Sequence, residues 1–360
     1  MTSATASIID KLTAGIQSPS EGWRARGRQH LDTLTKPPGS LGRIEDLAAQ
    51  MVAIRQDKMG DRVAKAVYIF AADHGVTTEG VSAYPREVTH QMVLNFCAQG
   101  AAISVLARLH HADLHVIDVG VDADFGSASS LFHRKVARGT CNMLHEAAMS
   151  DEQLAQALAV GEEFADDAAA KGYTLIAIGE MGIGNTTSAS AITCALTGCA
   201  PAMATGRGTG VDTDAHARKI RVVQATVEQH FGGSPRPLSP IDVLRCVGGL
   251  EIAAMAGMVL TAARHRLVVV ADGFISTAAA ALAVAVAPPV HGYLVAGHRS
   301  EEPGHKILLD HLGLIPVLTL DMRLGEGTGA VLAMPILESA FCLYQQMATF
   351  ASAGVSGPAA

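Results

Sequence analysis

The sequence predicts an α/β fold in which a mostly parallel, six-stranded sheet carries helices on both faces. Three observations lead there. Six short apolar stretches alternate with longer helical patterns along the chain, the arrangement expected of repeated β–α–β units. Most of those stretches end on a polar residue, and in open parallel sheets the carboxyl ends of the strands are where ligands bind. Finally, 49% of the 360 residues are apolar while only 4% are aromatic. The core must therefore be filled by Ala, Val, Leu, Ile and Met, which suits helices lying close on a sheet.

The elements follow in order. Helical segments at 4–16, 23–34 and 41–58 are split by Lys36-Pro37-Pro38-Gly39-Ser40. The candidate strands are 66–72 before Asp73, 114–117 before Asp118, and 174–178 leading to Glu180. Then come 267–271 before Asp272, 293–296 leading to His298, and 316–320 before Asp321; 293–296 is the weakest of the set. Helical patterns at 87–109, 151–170, 186–196, 214–230, 240–265 and 303–312 fill the intervals. A last helix at 330–350 is expected to pack with the first segments as a small helical domain. This divides the chain into 1–60, 61–330 and 331–360, with the tail 352–360 frayed.

Composition removes several classes of function. Net charge is −7 and the basic residues are scattered, so no nucleic-acid footprint is present. The apolar run 275–290 is broken by Ser276 and Thr277 and closed by Pro288-Pro289, too short to span a bilayer. Residues 1–18 contain Asp10 and lack an apolar signal core. Cys97, Cys141, Cys194, Cys199, Cys246 and Cys342 form no CxxC pair and read as reduced core thiols of a cytoplasmic protein.

Three glycine-rich loops carry the chemistry. Gly179-Glu180-Met181-Gly182-Ile183-Gly184-Asn185-Thr186 follows a strand and opens a helix. It is either a phosphate loop of backbone N–H groups or a tight turn capped by Asn185 or Thr186; no Lys follows, so it is not a Walker A loop. Gly206-Arg207-Gly208-Thr209-Gly210 adds a cation, and Asp214 beyond it is better read as a helix cap than as a metal ligand. Lys219 is either a phosphate partner or an ordinary solvated helical lysine. In Gly325-Glu326-Gly327, a carboxylate flanked by glycines can approach a substrate closely, and no structural role requires Glu there. The fifteen histidines form no HExxH or other close ligand pair and read as structural hydrogen-bonding groups. Segment 80–92 runs from a loop into a helix, and Ser82, Tyr84, Gln91 and Met92 suit a pocket for a flat heteroaromatic ring as well as ordinary helix initiation.

Together the segments KPPGSLGRIEDLA (36–48), AADHGV (71–76), SAYPREVTHQMVLNF (82–96), IGEMGIGNTTSA (178–189), GRGTGVD (206–212), VGGLEIAAMAG (247–257), ADGFIS (271–276), HRSEEPGH (298–305) and LDMRLGEGTGA (320–330) resemble the nicotinate-nucleotide–dimethylbenzimidazole phosphoribosyltransferase family. The resemblance runs collinearly from Lys36 to Ala330. Gln99-Gly100 stands where the family often has Gly-Gly, and Met322 where Leu is usual.

The resemblance implies a Rossmann-like sheet with a small helical domain from both chain ends, working as a homodimer. It implies transfer of the phosphoribosyl group of nicotinate mononucleotide to 5,6-dimethylbenzimidazole or a related base, without cofactor or metal. Glu326 matches the catalytic base and Glu180 a second active-site carboxylate. Ser82, Tyr84, Gln91 and Met92 become acceptor-pocket candidates; Gly182, Gly206, Arg207, Gly208, Lys219 and Ser300 become nucleotide-binding candidates. A transferase using phosphoribosyl pyrophosphate would need a paired-acid loop at a strand end, which is missing. A non-catalytic nucleotide sensor would have no use for Glu326 between glycines.

Overall fold

A computed structural model describes residues 2–126 and 130–356; the last four residues of the tail read as frayed lie outside them. Its centre is a sheet of six parallel strands: β1 (Lys65–Ala72), β2 (Asp113–Gly120), β3 (Leu131–His133), β4 (Leu175–Met181), β5 (Val268–Ala271) and β6 (Leu294–Ala296). Their spatial order is β3-β2-β1-β4-β5-β6, all pairs parallel. Strand order reverses between β1 and β4, and the crevice beyond their carboxyl ends is where such folds bind ligands. Every residue of β1, β4, β5 and β6 is buried, as a sheet covered on both faces requires.

The strand count is as expected, but one member differs. The stretch 316–320 is not in the main sheet: Leu318–Thr319 (β8) pairs with His298–Arg299 (β7) in a separate two-stranded sheet. A central strand would be buried, whereas Leu320 is exposed. The sixth place is taken by β3, only three residues long and too short to leave a pattern in the sequence.

Two helical patterns are interrupted. Stretch 87–109 forms helices Glu87–Cys97 and Ala102–Leu109, because Gln99 takes a left-handed φ of 62° between them. By length and composition alone Glu87–Leu109 could cross a membrane, yet it is this bent pair. Stretch 240–265 breaks at Gly248-Gly249 into Pro240–Val247 and Leu250–Arg264, glycine being a poor helix former. The apolar run 275–290 holds a buried helix, Phe274–Val286.

The Ala-rich composition has a direct consequence in packing. Helices Asp151–Ala170 and Leu250–Arg264 meet backbone to backbone: a Cβ at Gly257 would strike Leu158, and one at Gly161 would strike Ala254. At the chain ends, Thr35 N–H donates to Ala348 O at 3.0 Å, and His30 Nε2 lies 3.0 Å from Tyr344 O. These contacts join the helix Glu21–Thr33 to the end of the helix Thr328–Gln346. The first helix, Ser3–Thr13, goes elsewhere: Lys11 pairs with Glu162 at 2.6 Å, on the helix Asp151–Ala170.

The cysteines correct the sequence reading. Only Cys194 and Cys246 are buried, and Cys141 is exposed. Cys194 and Cys199 are also not far apart, their sulfurs lying 3.9 Å from each other.

Candidate active site

At the carboxyl ends of the central strands lies a cavity of about 480 Å³. Loops after β4, β5, β6 and β8, with the Gly208–Thr209 turn, supply its polar lining, and the helix Glu87–Cys97 with the rim residues Tyr84 and Leu324 supplies much of the apolar part.

Glu326 occupies a tight loop in which Gly325, Glu326 and Gly327 have φ of 84°, 62° and 78°. A non-glycine residue held left-handed costs about 1–3 kcal/mol. The loop is tied down from β5: the Asp272 carboxylate accepts the Gly327 N–H at 3.1 Å and the Ala330 N–H at 2.9 Å. Thr328 Oγ1 donates to Gly325 O at 2.7 Å. Glu326 itself is only 6% exposed, and its Oε2 has no hydrogen-bond partner among the described residues. Burial, reinforced by the negative charge of Asp272, pushes its carboxyl up to about 7.

Glu180, the penultimate residue of β4, points into the same cavity and is bonded by the Asn185 side-chain amide. Burial pushes its carboxyl up to about 8; the Asn185 bond opposes this, while Glu251, Asp272 and Glu326 add to it. Burial therefore holds both carboxyls well above the usual carboxylate range, where a proton can be gained or lost near neutral pH.

The helix Asn185–Thr197 begins at Gly184 with no side-chain cap, so neither Asn185 nor Thr186 caps it: Asn185 is engaged by Glu180. Thr186 Oγ1 instead accepts a bond from Lys219 Nζ at 2.7 Å. Lys219 is 1% exposed and not a solvated surface lysine. Burial pulls its ammonium down to about 8, against the pull of Glu302. Glu302 also accepts the Gly208 N–H at 2.9 Å, fixing the second glycine loop. Ser300 is held by its N–H donating to His305 Nδ1 at 2.9 Å, and His305, brought down to about 3 by burial and then by His298, is neutral.

Of the residues expected from sequence, Glu326, Glu180, Gly182, Gly208, Ser300, Tyr84 and Met92 line the cavity. Lys219 lies behind Thr186 and Gly208. Gly206 packs on Glu302 and Pro303 with no room for a side chain. Arg207 turns away, donating to Val211 O at 2.8 Å. Ser82 borders a neighbouring groove, 3.2 Å from Thr209 Oγ1. Gln91 is exposed and outside the lining. The helix cap after the second loop is Asp212, not Asp214. Among the described residues no group of three His, Cys, Asp or Glu is placed to hold a metal. His74 makes a buried 2.6 Å bond to Glu251, a structural role as expected.

Sequence reasoning gave no site role to Asp272, Glu302 and Arg323 and read His298 as structural; all four are in the lining. The strand-end position of Asp272 was the available signal. Nothing local marked Glu302 or Arg323.

Residues 16–355 match a family model described as phosphoribosyltransferase. The nicotinate-nucleotide–dimethylbenzimidazole phosphoribosyltransferase of Geobacter sp. (strain M21) is 47% identical over 97% of this chain and 99% of its own length. The enzyme of the same name from Chloroflexus aggregans is 52% identical over 92% and 93%. The crystal structure of the same-named protein from Thermus thermophilus superposes with a TM-score of 0.88 at 44% identity, covering 94% of this chain and 100% of that one. Identity at this level over nearly the whole length, with the strand order and cavity above, places the chain in the nicotinate-nucleotide–dimethylbenzimidazole phosphoribosyltransferase family.

Proposed function

We propose that this protein transfers the 5-phosphoribosyl group of nicotinate mononucleotide to 5,6-dimethylbenzimidazole, giving α-ribazole 5′-phosphate and nicotinate for the nucleotide loop of cobalamin. The observation that carries the chemical part of this reading is Glu326: a buried carboxylate held on a left-handed loop at the cavity, ionising near 7.

One ring nitrogen of the benzimidazole attacks ribose C1′ while the pyridinium nitrogen of nicotinate takes back its bonding pair and leaves uncharged. The leaving group needs no acid. The acceptor does need a base, because its second nitrogen becomes acidic as the new bond forms; Glu326 takes that proton. Its negative charge also favours the positive charge developing on the ribosyl group. Glu180, bonded by the Asn185 amide, orients the ribose. Gly182, Gly208, Ser300 and the Thr186–Lys219 pair form the phosphate site, with Gly206 shaping the loop and Arg207 bracing it. Tyr84 and Met92 supply apolar surface for the flat acceptor, with Ser82 and Gln91 beside them. The donor carries a monophosphate, so the reaction requires no magnesium and no cofactor.

The same reading makes the protein a cytoplasmic homodimer. Leu94, Val105 and Leu109 are exposed along the helices Glu87–Cys97 and Ala102–Leu109, a face that a second copy can cover. The helix Glu21–Thr33 and the end of the helix Thr328–Gln346 then belong to a small helical unit beside the catalytic body 61–330, on which Ser3–Thr13 packs instead.

The test is direct. Incubated with nicotinate mononucleotide and dimethylbenzimidazole, the protein releases nicotinate and α-ribazole 5′-phosphate in equal amounts. Binding of both compounds without nicotinate release would leave a nucleotide-binding module instead.

A further inference from the structure

Asp272 follows β5 directly and is 1% exposed. Burying a carboxylate is costly unless its oxygens are satisfied. Here they are satisfied almost entirely by one loop: Oδ2 accepts the Gly327 N–H and Oδ1 the Ala330 N–H, on the C-terminal flank of Glu326. His298 Nδ1 stands 3.5 Å from Oδ1. The same N–H bonds also hold the first turn of the helix Thr328–Gln346, to which Ala330 belongs. The loop that Asp272 grips has no slack, since Gly327 lies against Val67 and Ile69 of β1 and against Gly179 of β4. Without the two Asp272 bonds, Glu326 would be held in its left-handed conformation only by the Thr328–Gly325 bond and the packing of Gly327.

We propose that Asp272 is a positioning residue for the transfer reaction, its buried carboxylate clamping the Glu326 loop so that the base is presented to the acceptor. This rests on the reading of Glu326 as the base. The charged or titratable groups that share the cavity with Glu326 are Tyr84, Glu180 from β4, Asp272 beyond β5, His298 from β7, Glu302, and Arg323 from its own loop. Of these, Asp272 is the neighbour that raises the basicity of Glu326. Burial raises the Asp272 carboxyl itself, against His298 and the backbone N–H groups that hold it down, so clamp and charge act through the same side chain to the extent that it is ionised.

Asp272→Asn keeps the volume, removes the charge and turns one acceptor into a donor. The variant is assayed for nicotinate mononucleotide affinity by calorimetry and for kcat against pH. Expected are unchanged nucleotide affinity, a kcat lower by about 10–100-fold, and an acid limb displaced to lower pH. The displacement follows in sign, because loss of a negative neighbour makes Glu326 a weaker base. An unmoved acid limb with normal kcat overturns the proposal. In the Glu326→Gln background, adding Asp272→Asn is expected to change kcat by less than about twofold; a full additional loss would show that Asp272 acts independently and overturns it too. Should Glu326→Gln alone turn over normally, the base assignment fails, a result readable without Asp272. If Asp272→Asn does not fold, Asp272→Ser is assayed with formate, which is expected to restore turnover; no restoration counts against the proposal.

Discussion

The polar and apolar linings of the cavity are built in opposite ways. On the polar side buried groups tie the loops down: Lys219 to Thr186, Glu302 to Gly208, Asn185 to Glu180, Asp272 to the Glu326 loop, with the Glu326 Oε2 left without a partner among the described residues. On the apolar side, Tyr84 and Leu324 are more than half exposed, and Met92 is half-buried on a helix whose neighbour Gln91 faces solvent. Preorganised dipoles and charges pay no reorganisation cost when charge develops, so the nucleotide and the proton transfer are served by fixed groups. A flat apolar ring needs surface more than direction, and loose rim side chains can provide it. The contrast predicts steep, specific losses on the polar side and shallow ones on the apolar side.

The largest loss is expected at Glu326. Glu326→Gln preserves shape and removes the base, so kcat should fall by about a hundredfold or more in a protein that still folds and binds both substrates. In the unmodified enzyme, kcat should rise with pH through a midpoint near 7, because Glu326 works only after losing its proton and burial holds that proton to about 7. Glu180→Gln should be the milder lesion, since Glu180 orients the ribose rather than taking the proton and Gln keeps its hydrogen-bonding reach. Steady-state kinetics across pH checks all three statements. Normal turnover in Glu326→Gln with inactive Glu180→Gln would exchange the two roles.

Next in size is Lys219. Lys219→Ala removes a buried charge-assisted bond to Thr186 and should weaken nicotinate mononucleotide binding by about 1–3 kcal/mol. Binding of free dimethylbenzimidazole, measured by the same calorimetry, should barely change. Equal losses for both ligands would mean that Lys219 supports the whole cavity rather than its phosphate site.

How far the sequence revealed this site follows the same division. Glu326 was legible because glycines on both sides of an acid are a local signal. Five of the six main strands were legible because buried parallel strands are continuous apolar runs. Lys219 was ambiguous, since its burial depends on the two glycine loops folding over it, and no periodicity of its own helix records that. Arg207 misled for the complementary reason: a cation between phosphate-loop glycines looks committed to the anion, yet its guanidinium closes its own loop on Val211. The strand at 316–320 failed because an apolar run alone does not say which sheet it joins.

On the apolar side, smaller effects are expected. Met92→Ala should raise the KM for dimethylbenzimidazole by about 5–30-fold at most, the value of losing part of one apolar contact, with the nucleotide KM unchanged. Gln91→Ala should act in the same direction but less. A rise in the nucleotide constant instead would mean that the two substrates are assigned to the wrong parts of the cavity.

The smallest effect should be that of chelation, which is expected to do nothing. The polar lining presents a serine and two glycine loops, with the buried Lys219 ammonium behind Thr186 and Gly208, and among the described residues no group of three acidic, histidine or cysteine side chains is placed to hold a metal. Nor does the chemistry ask for a divalent ion, because the departing pyridine is uncharged and needs no Lewis acid to stabilise it. Turnover after exhaustive dialysis against EDTA should equal that of the untreated enzyme, and added magnesium should not increase it. A loss that magnesium restores would show that a hydrated ion, bound mainly through the donor's phosphate, does the work here assigned to Lys219. Lys219→Ala would then be expected to cost little in the presence of the ion, which places the two predictions in direct opposition.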